Sequence, residues 1–116
     1  MEYKENIRLF KLILKSEFNL KRQPKIQLRR QLKLDGDYCF GLYYGDNIDN
    51  RFSHNILISV EENKTLKTLF NTLAHEYIHC WQLENNFDTL HDTETMFQVW
   101  REYFINKYDI DVIGLE

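Results

Sequence analysis

Residues 74–82 read Ala-His-Glu-Tyr-Ile-His-Cys-Trp-Gln, and no other part of the chain is as informative about fold and function. It contains the pattern His-Glu-x-x-His inside an apolar-periodic run from about residue 66 to 83, which predicts a helix. Four residues make about one helical turn, so His75 and His79 should project from the same face, about 6 Å apart. Two imidazoles at that separation can bind a single Zn²⁺ ion.

Glu76 lies about 100° further round the same helix, close enough to reach a water on the metal without displacing it. A metal ion lowers the pKa of such a water, and a neighbouring carboxylate can take its proton. The pattern therefore predicts Glu76 as a general base and the site as a hydrolase centre. Two histidines do not complete a catalytic zinc site, so a third protein ligand must lie elsewhere.

The predicted third ligand is His91, which follows His79 by twelve residues and precedes a second predicted helix. A short connection between the two helices would bring the start of the second one close to the metal. Glu94, one turn further on, is the alternative, because carboxylates also bind zinc. The fourth histidine, His54, begins a predicted strand and is expected to be structural or exposed.

The remaining pattern predicts an α+β fold: an N-terminal helix, a small three-stranded sheet with a hairpin, the His-Glu-x-x-His helix and a following C-terminal helix. Apolar residues at helical spacing predict the first helix over residues 3 to about 20, ended by Pro24. Alternation predicts strands over residues 25–34, 38–44 and 54–60. Between them lie a tight turn at Asp35-Gly36-Asp37 and an exposed loop over residues 45–53.

Capping residues set the expected helix limits. Asn63 or Thr65 is the predicted N-cap of the His-Glu-x-x-His helix, and Asp92 that of the next helix, which should run to about residue 107. Its apolar stripe consists of Met96, Phe97, Trp100, Tyr103 and Phe104. Residues 108–116 give no clear pattern.

Composition indicates one globular domain over residues 1–116, without a separate zinc ribbon or DNA-binding tail. The chain is 43% hydrophobic and 15% aromatic, enough for a packed core. Its two cysteines, Cys39 and Cys80, form no Cys-x-x-Cys pair, as is typical of proteins from a reducing compartment. The sequence shows neither a signal-peptide pattern nor an apolar run near 18 residues, so a cytoplasmic location is expected, with no membrane association.

Residues 72–82, Thr-Leu-Ala-His-Glu-Tyr-Ile-His-Cys-Trp-Gln, resemble the helix of SprT-like metalloprotease domains, minimal zincin-like proteases. Residues 91–95, His-Asp-Thr-Glu-Thr, are similar at His91 and Glu94 to the His-Gly-x-Glu-Phe element of that family, but differ at Asp92 and Thr95. The resemblance implies zinc-dependent hydrolysis of peptide bonds in protein or peptide substrates. For several relatives it also implies cleavage of DNA-associated proteins.

The charge distribution bears on a DNA partner. The net charge is −3, which argues against nucleic-acid binding, yet an acid-free basic run stands at Lys21, Arg22, Lys25, Arg29, Arg30 and Lys33. Lys25, Arg29 and Lys33 would lie on one face of the predicted strand, about 13 Å apart. They could contact phosphates weakly and without sequence preference. The alternative is a merely solvated face.

Three other functions fit the pattern. They are a peptidase with no nucleic-acid partner, a non-catalytic binding module with a structural metal, and a metal-dependent amidase acting on a small substrate. Glu76 argues against the binding module, since a structural site does not need a base. The apolar strand over residues 54–60 argues against the amidase, because an edge strand in such peptidases pairs with an extended substrate.

Overall fold

A computed structural model describes residues 1–89 and 95–113 and confirms the α+β class. Three strands form a mixed sheet in the order β1-β5-β4, and two short strands form a separate hairpin. Strand β1 runs parallel to β5, whereas β4 is antiparallel to it. The elements are α1 (Tyr3–Glu17), β1 (Lys25–Arg29), β2 (Lys33–Leu34), β3 (Asp37–Tyr38), β4 (Gly41–Ile48), β5 (Arg51–Ser59), α2 (Leu66–Glu84) and α3 (Thr95–Tyr108).

The first helix ends at Glu17, three residues earlier than predicted. Phe18 takes an extended conformation, and its N–H still bonds to the Leu14 carbonyl. Its ring is fully buried, with its centroid 4.2 Å from that of Trp100. The helix therefore stops where the chain turns an aromatic side chain into the core, before Pro24 is reached.

The prediction of one continuous strand over residues 25–34 is wrong. The chain leaves the sheet after Arg29, and its continuation forms β2 in the separate hairpin. Arg30, whose side chain is 86% exposed, pairs with Glu61 at 3.6 Å, while Leu32 is buried. The predicted turn is confirmed, because Asp35 and Gly36 both have positive φ and join β2 to β3.

The exposed loop predicted over residues 45–53 is also wrong. Strand β4 continues to Ile48, a two-residue turn at Asp49-Asn50 follows, and β5 begins at Arg51. Both turn residues have positive φ, the conformation that matches the twist of a two-residue hairpin. Asp46, Asn47 and Ile48 are all exposed, although successive residues of a strand point to opposite faces. Both faces of the strand therefore meet solvent at this end of the hairpin, and the sequence shows no alternation there.

The second helix is the centre of the molecule. Thr65 is its N-cap, with its hydroxyl oxygen accepting the Thr68 N–H at 3.1 Å, so of the two predicted caps Thr65 is correct. The helix is buried on nearly all sides, because it contacts the sheet, α1 and α3. Asp92, the predicted cap of the next helix, lies outside the described residues. No described helix is long and apolar enough to cross a membrane.

Candidate metal centre

His75 and His79 converge on one point beside α2. The two side chains project from the same face of the helix, as predicted, and their Nε2 atoms are 3.3 Å apart. Two nitrogens that bind one tetrahedral zinc ion at about 2.05 Å are separated by about 3.3 Å, so the pair already has the spacing of two ligands. Together with a Glu76 carboxylate oxygen, their ligand atoms all lie within 4.8 Å of one another.

Each imidazole is oriented through its other nitrogen. Nδ1 of His75 lies 2.7 Å from the Val112 carbonyl oxygen, and Nδ1 of His79 lies 2.8 Å from Oε1 of Gln82. Both partners accept, so each Nδ1 carries the proton and donates it. Each Nε2 is then the nitrogen with the lone pair, which is the form that binds a metal. Sequence reasoning predicted neither partner.

Glu76 is 4% exposed and lines the same cleft as the two histidines. Strand β4 passes so close to it that a Cβ atom added at Gly41 would lie 2.8 Å from Glu76 Oε2 and 2.8 Å from Thr72 Cγ2. Gly41 is therefore required for the close approach of β4 to α2 at Glu76. The alternating pattern of β4 gave no indication of this role.

The cleft has a volume of ≈ 790 Å³ and lies between β4, the β2–β3 hairpin and α2. Leu34 and Tyr38, on the hairpin, line one end and are more than half exposed. Val112, from the segment after α3, closes another side. The site is thus an open groove with a polar floor and apolar walls.

Strand β4, and not the predicted strand over residues 54–60, is the sheet edge at the cleft, because β5 is the central strand. Phe40 accepts a hydrogen bond from the Ser59 N–H, and bonding residues alternate in an antiparallel pair. The N–H and C=O groups of Gly41, Tyr43 and Gly45 therefore point away from β5. Within residues 1–89 and 95–113, no strand pairs with that edge.

A second buried polar network supports the wall of the site. His54, 2% exposed, bonds through Nδ1 to the Tyr43 hydroxyl at 2.6 Å and through Nε2 to Glu84 Oε2 at 2.7 Å. The Tyr43 ring stacks on His79 with centroids 5.9 Å apart. Burial raises the pKa of Tyr43, so its hydroxyl stays protonated and donates to His54. His54 is therefore structural, one of the two roles expected for it.

Cys39 also lines the cleft, which raises the question of a thiol nucleophile. Burial raises the pKa of the Cys39 thiol, and the nearby negative charges of Glu76 and Glu62 raise it further. The thiolate, not the thiol, is the reactive form. The cleft therefore favours acid–base chemistry by Glu76 over nucleophilic attack by Cys39.

The remaining predicted site residues have different outcomes. His91 and its alternative Glu94 lie outside the described residues. Lys25 and Arg29 are exposed on β1, but Lys33 belongs to the separate hairpin, where its ammonium lies 4.8 Å above the Tyr38 ring. The three cations do not share a strand, because the predicted strand breaks after Arg29. Contact of these residues with DNA stays a prediction.

Comparison with models of protein families, with functionally characterised proteins and with solved structures finds no match to this chain. The strongest functional feature is therefore the site itself: two oriented histidines and a buried carboxylate in an open groove.

Proposed function

We propose that this protein is a zinc-dependent metallopeptidase of the SprT-like kind, which hydrolyses peptide bonds in the groove between β4 and α2. The observation that carries the proposal is the 3.3 Å convergence of His75 and His79 Nε2, with each Nδ1 held by an acceptor. Zinc fits this donor set, because two neutral imidazoles are its common ligands. A third ligand, His91 or Glu94, is part of the proposal.

When bound, the metal would supply a Lewis acid that polarises the scissile carbonyl and lowers the pKa of the attacking water. Glu76 would take the proton of that water on a carboxylate oxygen and deliver it to the leaving amine. Its burial beside Gly41 limits its rotation and directs the carboxylate into the cleft. His75 and His79 hold their lone pairs toward the metal position through their anchored Nδ1 atoms.

An extended peptide is the substrate that best fits the groove. The edge of β4, with which no described strand pairs, offers the N–H and C=O groups of Gly41, Tyr43 and Gly45, which can pair with a substrate backbone as an added strand. A small-molecule amidase would not need a strand edge along its cleft, whereas residues 41–45 of β4 line this one. A structural metal in a binding module would not need a buried carboxylate in a groove of ≈ 790 Å³.

The test compares hydrolysis of an unfolded protein and of a mixed peptide pool by the wild type and by Glu76→Gln. This change keeps the size of the side chain but removes its ability to accept a proton. The rate should fall by about two to four orders of magnitude, the usual contribution of a general base. Zinc content should be unchanged, because the histidines are intact.

Glu102→Gln, an exposed change on α3, is the matched control and should leave hydrolysis unaltered. A zinc-loaded wild type that cleaves no peptide bond in the pool would contradict the proposal. So would a Glu76→Gln variant with near-normal activity.

A further inference from the structure

The segment after α3, residues 109–113, folds back onto the candidate metal centre. Ile110 and Val112 are 5% and 0% exposed, so the segment is part of the core. The Val112 carbonyl accepts the Nδ1–H of His75 at 2.7 Å, from 37 positions further along the chain. His79 differs, because its acceptor, Gln82, is on the same helix. The hydrogen bond at Nδ1 of His75 thus depends on tertiary structure, while that at Nδ1 of His79 is made within α2.

An ion pair holds this segment in place. Arg101, on α3, donates from Nε and Nη2 to the two carboxylate oxygens of Asp111, at 2.8 and 2.7 Å. Asp111 Oδ1 also accepts the Ile113 N–H at 3.0 Å. The carboxylate therefore fixes the residues on both sides of Val112. A bidentate guanidinium pair restricts rotation as well as distance, so it is suited to placing a carbonyl group.

The placement of this carbonyl matters for the lone pair of His75. A neutral imidazole carries its proton on one nitrogen only, and a carbonyl at Nδ1 selects the form with Nε2 unprotonated. If the carbonyl moves away, the proton can occupy Nε2, and that form cannot bind a metal through the atom that faces His79. Outer-shell acceptors of this type typically change metal affinity by about 10–100-fold.

We propose that Arg101 and Asp111 are positioning residues of the metal centre: their ion pair holds the Val112 carbonyl against His75 and so keeps its Nε2 available to the metal. The effect on zinc affinity rests on the proposed function. The effect on the His75 tautomer does not, because it concerns the metal-free protein.

The experiment uses full-length Asp111→Asn and Arg101→Gln, each compared with the wild type. Imidazole ¹H–¹⁵N correlations are recorded on the metal-free proteins above pH ~8, where ordinary imidazoles are neutral. His75 should be in the Nδ1–H form in the wild type and in a mixture of forms in both variants. Zinc affinity, measured by competition with a chelating dye, should fall about tenfold, at the lower end of the outer-shell effect.

Two controls separate positioning from a general loss of structure. His79, oriented by Gln82, should keep its Nδ1–H form in both variants. Lys107→Gln breaks another ion pair of α3, that with Glu17, and should leave both histidines and the zinc affinity unchanged. Exchanging the two charges, Arg101→Asp with Asp111→Arg, should recover part of the lost affinity.

Unchanged His75 signals in Asp111→Asn and Arg101→Gln would overturn the inference, whatever the zinc affinity. An equal disturbance of His79 would also overturn it, since the ion pair would then act on the whole site. If either variant fails to fold, Arg101→Lys replaces it and should give a smaller shift of the same His75 signals. If the wild type binds no zinc but the two variants still show the expected change of the His75 signals, the proposed function is contradicted and the positioning role stays supported.

Discussion

At the scale of single residues, the site depends on where each histidine carries its proton. The acceptors at Nδ1 are a backbone carbonyl for His75 and a fully buried side-chain amide for His79. Both lie within hydrogen-bonding distance, so both rings are oriented before any metal arrives. Such preorganisation lowers the cost of binding, because the ligands need no rearrangement.

Tyr77, in the middle of the same motif, provides a stability prediction. Its hydroxyl is buried and has no hydrogen-bond partner within the described residues. Tyr77→Phe should therefore raise the free energy of unfolding by about 1 kcal/mol. The Tyr77 hydroxyl bonds to water in the unfolded chain but to no described residue in the folded one, so its removal destabilises the unfolded state more. Tyr3→Phe is the matched control: that hydroxyl donates to the Asn63 carbonyl at 3.0 Å, so its loss should destabilise by about 1 kcal/mol.

Urea unfolding of the three proteins measures both effects. Equal destabilisation by the two changes would show that the Tyr77 hydroxyl has a partner and would contradict the prediction.

At the scale of elements, the contact between β4 and α2 allows a prediction about Gly41. An added Cβ would crowd Glu76 and Thr72 at 2.8 Å, so Gly41→Ala should displace the carboxylate or separate strand from helix. We expect a loss of about 1–3 kcal/mol in stability, the usual cost of overpacking, and at least a tenfold fall in kcat/KM.

Gly36→Ala is the control for lost stability alone. Gly36 has a φ of +87°, which an alanine adopts only with strain, but its Cβ would meet no atom within 4 Å. The change should cost about 1–3 kcal/mol in stability, while the folded, zinc-loaded fraction keeps much more activity. Equal kcat/KM for the two variants would show that the effect of Gly41 does not pass through Glu76.

The contact between α1 and α3 predicts a pH dependence. Burial acts to raise the pKa of Glu17, but hydrogen bonds from Lys107, Tyr103 and Tyr108 outweigh it and lower the pKa below its ordinary 4.5. The hydrogen bond to Glu17 in turn raises the pKa of Lys107. The pair therefore stabilises the fold above the unfolded pKa of Glu17 and below that of Lys107. Its contribution is lost as pH falls through the folded pKa of Glu17 or rises through that of Lys107.

Unfolding by urea across the pH range should thus show the largest difference between wild type and Lys107→Met from about pH 5 to about pH 10. The difference should shrink in acid as Glu17 becomes protonated. A difference that stays constant down to pH ~3 would assign the effect of Lys107 to something other than this ion pair.

The helices could be predicted from sequence because each has a long periodic pattern. Helix α2 lies within one residue of its expected limits. The strands were harder, since they are short and partly exposed. Polar residues over 45–53 hid the β4–β5 hairpin, and the alternation of residues 25–34 continued past Arg29, where the chain leaves the three-stranded sheet.

The residues of the site also divide into those that the sequence could predict and those that it could not. His75, Glu76 and His79 could be predicted because their spacing is fixed by one helix. Val112 could not, since its contribution is a backbone carbonyl, which any residue carries. Gly41 could not, because its role comes from how closely β4 approaches α2. His54 could be identified as buried only after Tyr43 and Glu84 were found beside it.

At the scale of the whole molecule, the described residues share one hydrophobic core with contributions from all three helices and the sheet. The radius of gyration is 13.3 Å, close to the value of about 13 Å for a compact domain of this length. Among residues 1–89 and 95–113, no strand covers the groove along β4, so within this part of the chain an extended peptide can enter without a rearrangement of the core. A preference for unfolded segments over folded proteins follows from the proposed function.

The strand order of the sheet determines where DNA could contact the protein. Lys25 and Arg29 lie on β1, at the opposite edge of the sheet from β4, about 10 Å away across two strand spacings. Contact of Lys25 and Arg29 with DNA would therefore take place at the sheet edge that does not line the groove.

The central claim is that one zinc ion lies between His75 and His79. Anomalous diffraction above and below the zinc edge, on crystals of the purified protein, tests it directly. We expect one peak per chain, about 2.0–2.1 Å from both Nε2 atoms, with His91 as the third protein ligand. A third contact from Glu94 would leave the zinc site in place and make Glu94 the third ligand instead of His91. Crystals of zinc-supplemented protein with no anomalous peak between the two histidines would contradict the account.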